Sequence, residues 1–348
     1  MNRTIRMALT LVATWQGVSA WAGLAHIETV VLDEVTGKPI KDVSVCGSFK
    51  IKGNLWDSVK GQPSPNFDYG RTDTQGRCKL KGETNCGRVS CFLESGPSAY
   101  YWQHRCGGHE FKSQNFFGVW QPDNLIVTIK LQRVEHPIPL FVKNIKQNDR
   151  KRDLFAEGNG RICFDFLEGD WLPPLGKGKV ADVEFVRLPH ENFGEVEYGG
   201  IKGNAYRNSM DVRFIGSDNG LAETTHKSSQ TLKVRRAPDS GYLSEYLCWK
   251  GRSKQLKRET SYDMNRCFCF RIRTQRAADG TIVEAYYGKI YGDIKFEYKN
   301  DPFVPVASVQ MFYYLNPTSL DRNLEWDMQN NLCPNPGNVG RSVGERQP

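Results

Sequence analysis

The apolar residues of this chain fall into short alternating runs, and nowhere do they recur at helical spacing for three turns. Period-two alternation puts every second side chain on one face, which is the requirement of a half-buried strand. Residues 27–32, 43–46, 125–131, 161–166, 180–188, 210–216, 231–236, 266–274, 282–299 and 309–315 all alternate or concentrate aromatic and β-branched residues. Turn chemistry lies between them, drawn from 33 Gly and 17 Pro, and Gly288 and Gly292 mark bends inside the run 282–299. The fold class these patterns predict is all-β.

A length of 348 residues suits about two hydrophobic cores. Residues 25–133 read as a small β-sandwich, interrupted by a polar insertion at 50–70. Residues 134–160 read as a linker, because Pro137 and Pro139 push their predecessors into extended backbone and 146–152 is polar and basic. Residues 161–333 read as a second β-rich domain, and 334–348 as a disordered tail of Gly, Asn, Arg and Ser.

The first 22 residues have the pattern of an export signal. Arg3 and Arg6 precede the apolar or neutral run 8–18, and Ala20-Trp21-Ala22 supplies small residues before Gly23. Thr10, Thr14, Gln16 and Gly17 make that run too short and too polar to stay as a spanning helix, and no later stretch is long enough, so no transmembrane segment is expected after cleavage. The formal charge of +8 becomes +6 without the two leader arginines, too small and dispersed an excess to imply nucleic acid. In an exported chain the ten cysteines, Cys46, Cys78, Cys86, Cys91, Cys106, Cys163, Cys248, Cys267, Cys269 and Cys333, are expected in disulfides of undetermined pairing.

Two groups of motifs resemble known families. Asp33-x-x-Thr36-Gly37-Lys38-Pro39-Ile40, Val43-Ser44-Val45 and Thr72-Asp73-x-x-Gly76 resemble the carboxypeptidase regulatory-like domain. The resemblance implies a transthyretin-like, Ig-like β-sandwich with a structural or adhesive role and no catalytic residues. The blocks 135–139, 169–182 and 314–327 are similar to those of an uncharacterised family of secreted bacterial proteins, which implies membership and no activity.

Each candidate site has a structural counterpart. Trp171 could stack on a sugar ring while Asp170 accepts its hydroxyls; the favoured reading of the segment is a loop fixed by Pro173 and Pro174 in which Trp171 packs and Asp170 caps. Gly176-Lys177-Gly178-Lys179 lacks the spacing of a phosphate loop. Asp165, Glu168, Asp170, Asp182 and Glu184 supply acids for a glycosidase pair, with Asp182 and Glu184 on one strand face. Lys233 to Arg236 and the run 250–258, with Lys254 and Arg258, could meet anionic glycans or form solvated faces. His104, Cys106 and His109, with Cys91, form a weak metal cluster, against which stands the preference of exported cysteines for bridges. Arg322 is expected to pair with a carboxylate and pin the C-terminal segment. No cofactor motif, nucleophile elbow or metalloprotease helix is present. The reading favoured is a non-enzymatic exported component of the cell envelope or exterior, with a glycan as the expected partner. A glycan-active hydrolase using acids near 165–184, or a purely structural surface component, are the alternatives.

Overall fold

The computed structural model describes residues 22–51, 66–95, 100, 108–145, 160–225, 234–263, 265–299 and 306–336. These residues form strands, bridges and turns, and no helix among them is long and apolar enough to cross a membrane. The chain divides into two compact units between Arg133 and Val134.

The first unit holds β1 (Gly23–Asp33), β2 (Ser44–Phe49), β3 (Asn66–Arg71), β4 (Arg77–Thr84), β5 (Arg88–Ser95), β6 (Gly108–Glu110), β7 (Ser113–Gln114), β8 (Trp120–Gln121) and β9 (Leu125–Leu131). One sheet runs β4-β1-β9, with β1 antiparallel to β4 and parallel to β9. The other runs β3-β2-β5-β6, and β7 with β8 forms a small hairpin. Alternate residues of both sheets, among them Ile27, Val31, Val45, Phe49, Leu80, Leu93, Val127 and Ile129, fill one core and make the unit a sandwich.

The turn motifs lock its edges. The Asp33 carboxylate, 2% exposed, accepts the main-chain N–H of Val35 (3.0 Å) and Thr36 (2.8 Å), the Tyr100 hydroxyl (3.0 Å) and Arg133 Nη2 (3.1 Å). Thr72 Oγ1 donates to the Ile40 carbonyl (2.7 Å) and accepts from Val43 N–H (3.0 Å). The Thr36 hydrogen bond, helped by Tyr100 and Val35, outweighs burial and holds Asp33 well below the ordinary value of 3.8. A depressed carboxyl contributes stability above its unfolded pKa and loses it as pH falls through the folded one. Asp33→Asn is therefore expected to destabilise the unit by about 1–3 kcal/mol at neutral pH. In chemical denaturation the gap between variant and wild type should narrow from about pH 4 towards about pH 2.

The second unit holds β10 (Ile138–Ile145), β11 (Arg161–Asp165), β12 (Asp170–Trp171), β13 (Val183–Arg187), β14 (Glu191–Tyr198), β15 (Ile201–Phe214), β16 (Gly220–Glu223), β17 (Glu245–Arg252), β18 (Arg258–Thr260), β19 (Phe268–Arg276), β20 (Ile282–Lys299), β21 (Val306–Leu315) and β22 (Trp326–Asn331). A six-stranded sheet runs β16-β19-β20-β21-β10-β22. A seven-stranded sheet runs β12-β11-β13-β15-β17-β18, with β14 also paired to β15. Phe164, Phe166, Phe185, Val212, Phe214, Phe270, Ile290 and Tyr313 build the core between them. The six-stranded sheet is buried on its other face too, where Cys269, Ala285 and Tyr287 pack with Val234, Ala237 and Leu324. Double burial explains why 267–272 is uniformly buried rather than alternating.

The expected linker at 134–160 needs correction. Its residues 138–145 form β10, antiparallel to β21 and parallel to β22. Pro139 is accommodated because the pairing with β22 is irregular between Ile138 and Leu140, the kind of place where a strand tolerates a missing donor. Residues 146–159, the first 21 residues and the tail beyond 336 lie outside the described residues, as do 226–233, where part of the strand expected at 231–236 falls.

Candidate functional site

The segment 165–182 is built around two buried carboxylates held by one guanidinium. Asp165 ends β11 and accepts the main-chain N–H of Leu167 (3.1 Å), Glu168 (3.0 Å), Lys179 (2.9 Å) and Val180 (3.0 Å). Asp182 accepts the N–H of Phe166 at 2.8 Å. Arg273 reaches across from β19, placing Nε 2.8 Å from Asp182 Oδ1 and Nη2 2.6 Å from Asp165 Oδ1. It does so from a left-handed backbone (φ 53°) at a register irregularity of β19, a bulge that turns its side chain between the sheets. Burial opposes ionisation of Asp165, but the N–H groups of Glu168, Val180 and Lys179 and the Arg273 charge hold its pKa below the usual value. At Asp182 burial prevails over Arg273, and its pKa is raised.

The remaining acids expected for catalysis are also engaged locally. Glu168 pairs with Lys179, and Glu184 pairs with Arg161. Asp170 accepts the N–H of Trp171 and of Lys177, both at 2.9 Å. Asp182 and Glu184 therefore go to different partners and do not form the pair expected from strand alternation.

Trp171 is a core residue, which corrects its candidate role as a sugar platform. It is 7% exposed, with its ring edge-on to Phe164 at 5.0 Å and to Phe185 at 5.7 Å. The glycines after it serve close packing. A Cβ on Gly176 would lie 2.4 Å from the Trp171 carbonyl, and one on Gly178 2.8 Å from the Asp170 carbonyl. The loop folds back on β12 and leaves no cradle of N–H groups for a phosphate.

A second polar cluster joins two of the sequence blocks. The buried carboxylate of Glu325 accepts the N–H of Glu135 (2.7 Å) and His136 (2.5 Å), and Asn323 Nδ2 donates to the His136 carbonyl (2.8 Å). Asn316 Nδ2 donates to Asp321 Oδ2 and to the Asn323 carbonyl, both at 2.9 Å. Arg322 Nε donates to the Ala237 carbonyl (2.7 Å), and its Nη1 pairs with Asp239. Arg322 thus pins the C-terminal segment by one carbonyl and one carboxylate. Beneath this knot Lys289, fully buried, donates to the carbonyls of Val234 (3.0 Å) and Leu324 (2.6 Å). Burial pushes its pKa down to about 7. Sequence reading missed Lys289 and Arg273. Cations set among aromatic and apolar residues, Arg271 and Arg273 in 268–273 and Lys289 in 285–291, were the available signal.

Lys254 and Arg258 lie in and after the β17–β18 turn, exposed together with Lys257, and no acid among the described residues pairs with them. Lys250, from the same basic run, is instead bound to Glu297 at 2.5 Å. His104 and Cys106 of the weak candidate metal cluster lie outside the described residues. Cys91 is buried in the core of the first unit, its thiol pushed up to about 12 by burial. Among the described residues no group of three His, Cys, Asp or Glu converges as metal ligands would.

The nine described cysteines are free thiols, against the expectation of bridges. They are spread through cores and faces. Cys91 points into the sandwich, whereas Cys46, opposite Tyr69 and Phe92, is on the other face of the same sheet. Cys248 packs between the sheets of the second unit, and Cys269 lies opposite Ala222 and Lys289. Cys267 Sγ is 2.8 Å from Thr224 Oγ1.

What these features define is a two-unit all-β chain whose principal charged clusters are tied into packing. No family model and no curated protein matches it. Among solved structures it is similar to the major pilin subunit of Bacillus cereus, at 11% identity over 82% of this chain and 95% of that one, with a TM-score of 0.23. It is also similar to the full-length major pilin of Corynebacterium diphtheriae, at 8% identity over 87% and 83%, with a TM-score of 0.24. A minor pilin of Streptococcus agalactiae matches at 16% identity and a TM-score of 0.22, over 34% of this chain and 47% of the pilin, so the chain spans about half of that protein. Likenesses of this size carry no argument about role.

Proposed function

We propose that the chain is an exported, non-catalytic structural component of the cell envelope or exterior. The observation that carries this reading is the use made of its acids. Asp165, Asp170, Asp182 and Glu184 are each held by main-chain N–H groups, arginines or both, so this acid-rich segment works as an internal brace. An acid–base pair for glycoside hydrolysis needs carboxylates that face a cleft and are free to exchange protons with substrate. The leader-like residues 1–22 support export. The turns built by Asp33, Thr72 and Asp73 support relating the first unit to carboxypeptidase regulatory-like sandwiches, whose role is structural or adhesive.

A second reading has its own observation. Lys254, Lys257 and Arg258 form an exposed basic turn with no described acid to neutralise it, which suits an anionic glycan. Incubation of the exported chain with envelope and extracellular glycans should release no reducing sugar; release above background would sink the non-catalytic reading. On a glycan panel, Lys254→Glu/Arg258→Glu is expected to lower binding to anionic glycans by about tenfold or more. Equal binding by wild type and variant would remove the glycan.

A further inference from the structure

The most exposed apolar side chains of the described molecule are neighbours at one turn. Phe116 is 98% and Phe117 84% exposed, and their rings meet edge to face at 5.6 Å. The turn that carries them is rigid. Asn115 Oδ1 accepts the N–H of Phe117 (3.0 Å) and Val119 (2.9 Å), Asn115 and Gly118 close it through the main chain, and Gly118 takes the left-handed φ of 74°. Its base is anchored too. Trp120 packs on the core of the first unit and donates Nε1–H to the Thr84 carbonyl at 2.8 Å. Two phenyl rings held in water on an ordered turn gain nothing for the fold, since neither touches the core.

The start of β1 lies against this turn. A Cβ on Gly23 would sit 2.3 Å from the Gly118 carbonyl, and Leu24, 38% exposed, bridges to Val119. Leu24 therefore adds a third partly exposed apolar side chain beside the phenylalanines.

We infer that Phe116 and Phe117 form a membrane-contact tip that inserts into the interface of a lipid bilayer. The turn is convex and offers two rings and the edge of a leucine. Phenyl side chains bury about 150–250 Å² each. Two of them supply about 300–500 Å², short of the roughly 800 Å² that each partner of a standard protein interface buries, whereas a bilayer accepts a protruding apolar point without a matching shape. This inference does not rest on the non-catalytic reading and survives its failure.

The test is flotation of the exported chain with vesicles of phosphatidylethanolamine and phosphatidylglycerol. Wild type is expected to float with the vesicles, and Phe116→Ser/Phe117→Ser to partition at least about tenfold less. Both rings lie outside the core, so the melting temperature should not change. Equal flotation of the two proteins, or flotation of neither, overturns the proposal. So does a wild-type dimer in sedimentation that the double substitution dissociates, which would make a second copy the occupant.

Discussion

Replacing Arg273 by alanine is expected to destabilise the second unit by about 3–5 kcal/mol at neutral pH, the usual cost of leaving buried charge without its partner. Asp165 and Asp182 are each 1% exposed as side chains, and the guanidinium bridges both. Without it Asp165 keeps its four N–H donors, but Asp182 keeps only that of Phe166. Asp182 already has a raised pKa, and loss of the cation raises it further. A carboxyl raised above its unfolded value contributes stability below that value and loses it as pH rises. The deficit of Arg273→Ala should therefore be larger at about pH 7 than at about pH 4, as read from denaturant midpoints at each pH. A pH-independent deficit would mean that Asp182 does not carry the effect, and one below about 1 kcal/mol that the clamp adds little to stability.

The second large effect is a rise in stability with alkalinity. Lys289 has a folded pKa of about 7 against an ordinary 10.5. Below about pH 7 both states hold the proton, and the folded state carries a buried ammonium. Between 7 and 10.5 the unfolded chain is protonated and the folded one is not, so stability rises with pH. The full span is on the order of 5 kcal/mol. Buried thiols limit the window. Cys269, opposite Lys289, is pushed up to about 12 by burial, and Cys163, Cys248 and Cys333 are raised above 9.0 as well. These thiols reverse the slope once the unfolded chain begins to lose its own thiol protons. Scanning calorimetry should show the melting temperature of the second unit climbing from about pH 7 to a maximum near about pH 9. Lys289→Met should remove most of the climb, leaving the smaller contribution of Lys143, which burial also lowers. A wild-type profile that is flat or falling over this range would refute the assignment.

The sequence was most readable where a strand has one wet face. The run 125–131 matches β9 residue for residue, and β4 alternates without exception. It was least readable at the extremes of burial. The strand β14 is exposed at seven of its eight residues and so left no apolar rhythm to find. Its hairpin partner β15 begins right after Gly199-Gly200, and that pair was the missed turn signal. At β10 Pro137, just before the strand, and Pro139, within it, masked a strand that the sheet accommodates by an irregular register. At the candidate site, Trp171 beside Asp170 reads the same whether the ring faces a sugar or a core. Gly176 and Gly178, two residues apart, were the better guide, since their missing side chains admit the backbone of β12. Arg273 lies in a different sheet from the acids it holds, a relation that strand pattern alone does not encode. The cysteines were read through their redox chemistry, whereas the fold uses most of them as small apolar fillers.

In both units the opening strand is completed by the closing one. Ile27 of β1 lies beside Leu125 of β9, and in the second unit Phe141 of β10 lies beside Leu315 while Ile138 lies beside Trp326. Loops this long are slow to close. A polypeptide delivered amino end first would wait, with β1 paired only to β4 and β10 unpaired, until the last segments of each unit came through. Such a delay would leave each unit open until its own closing strand is made.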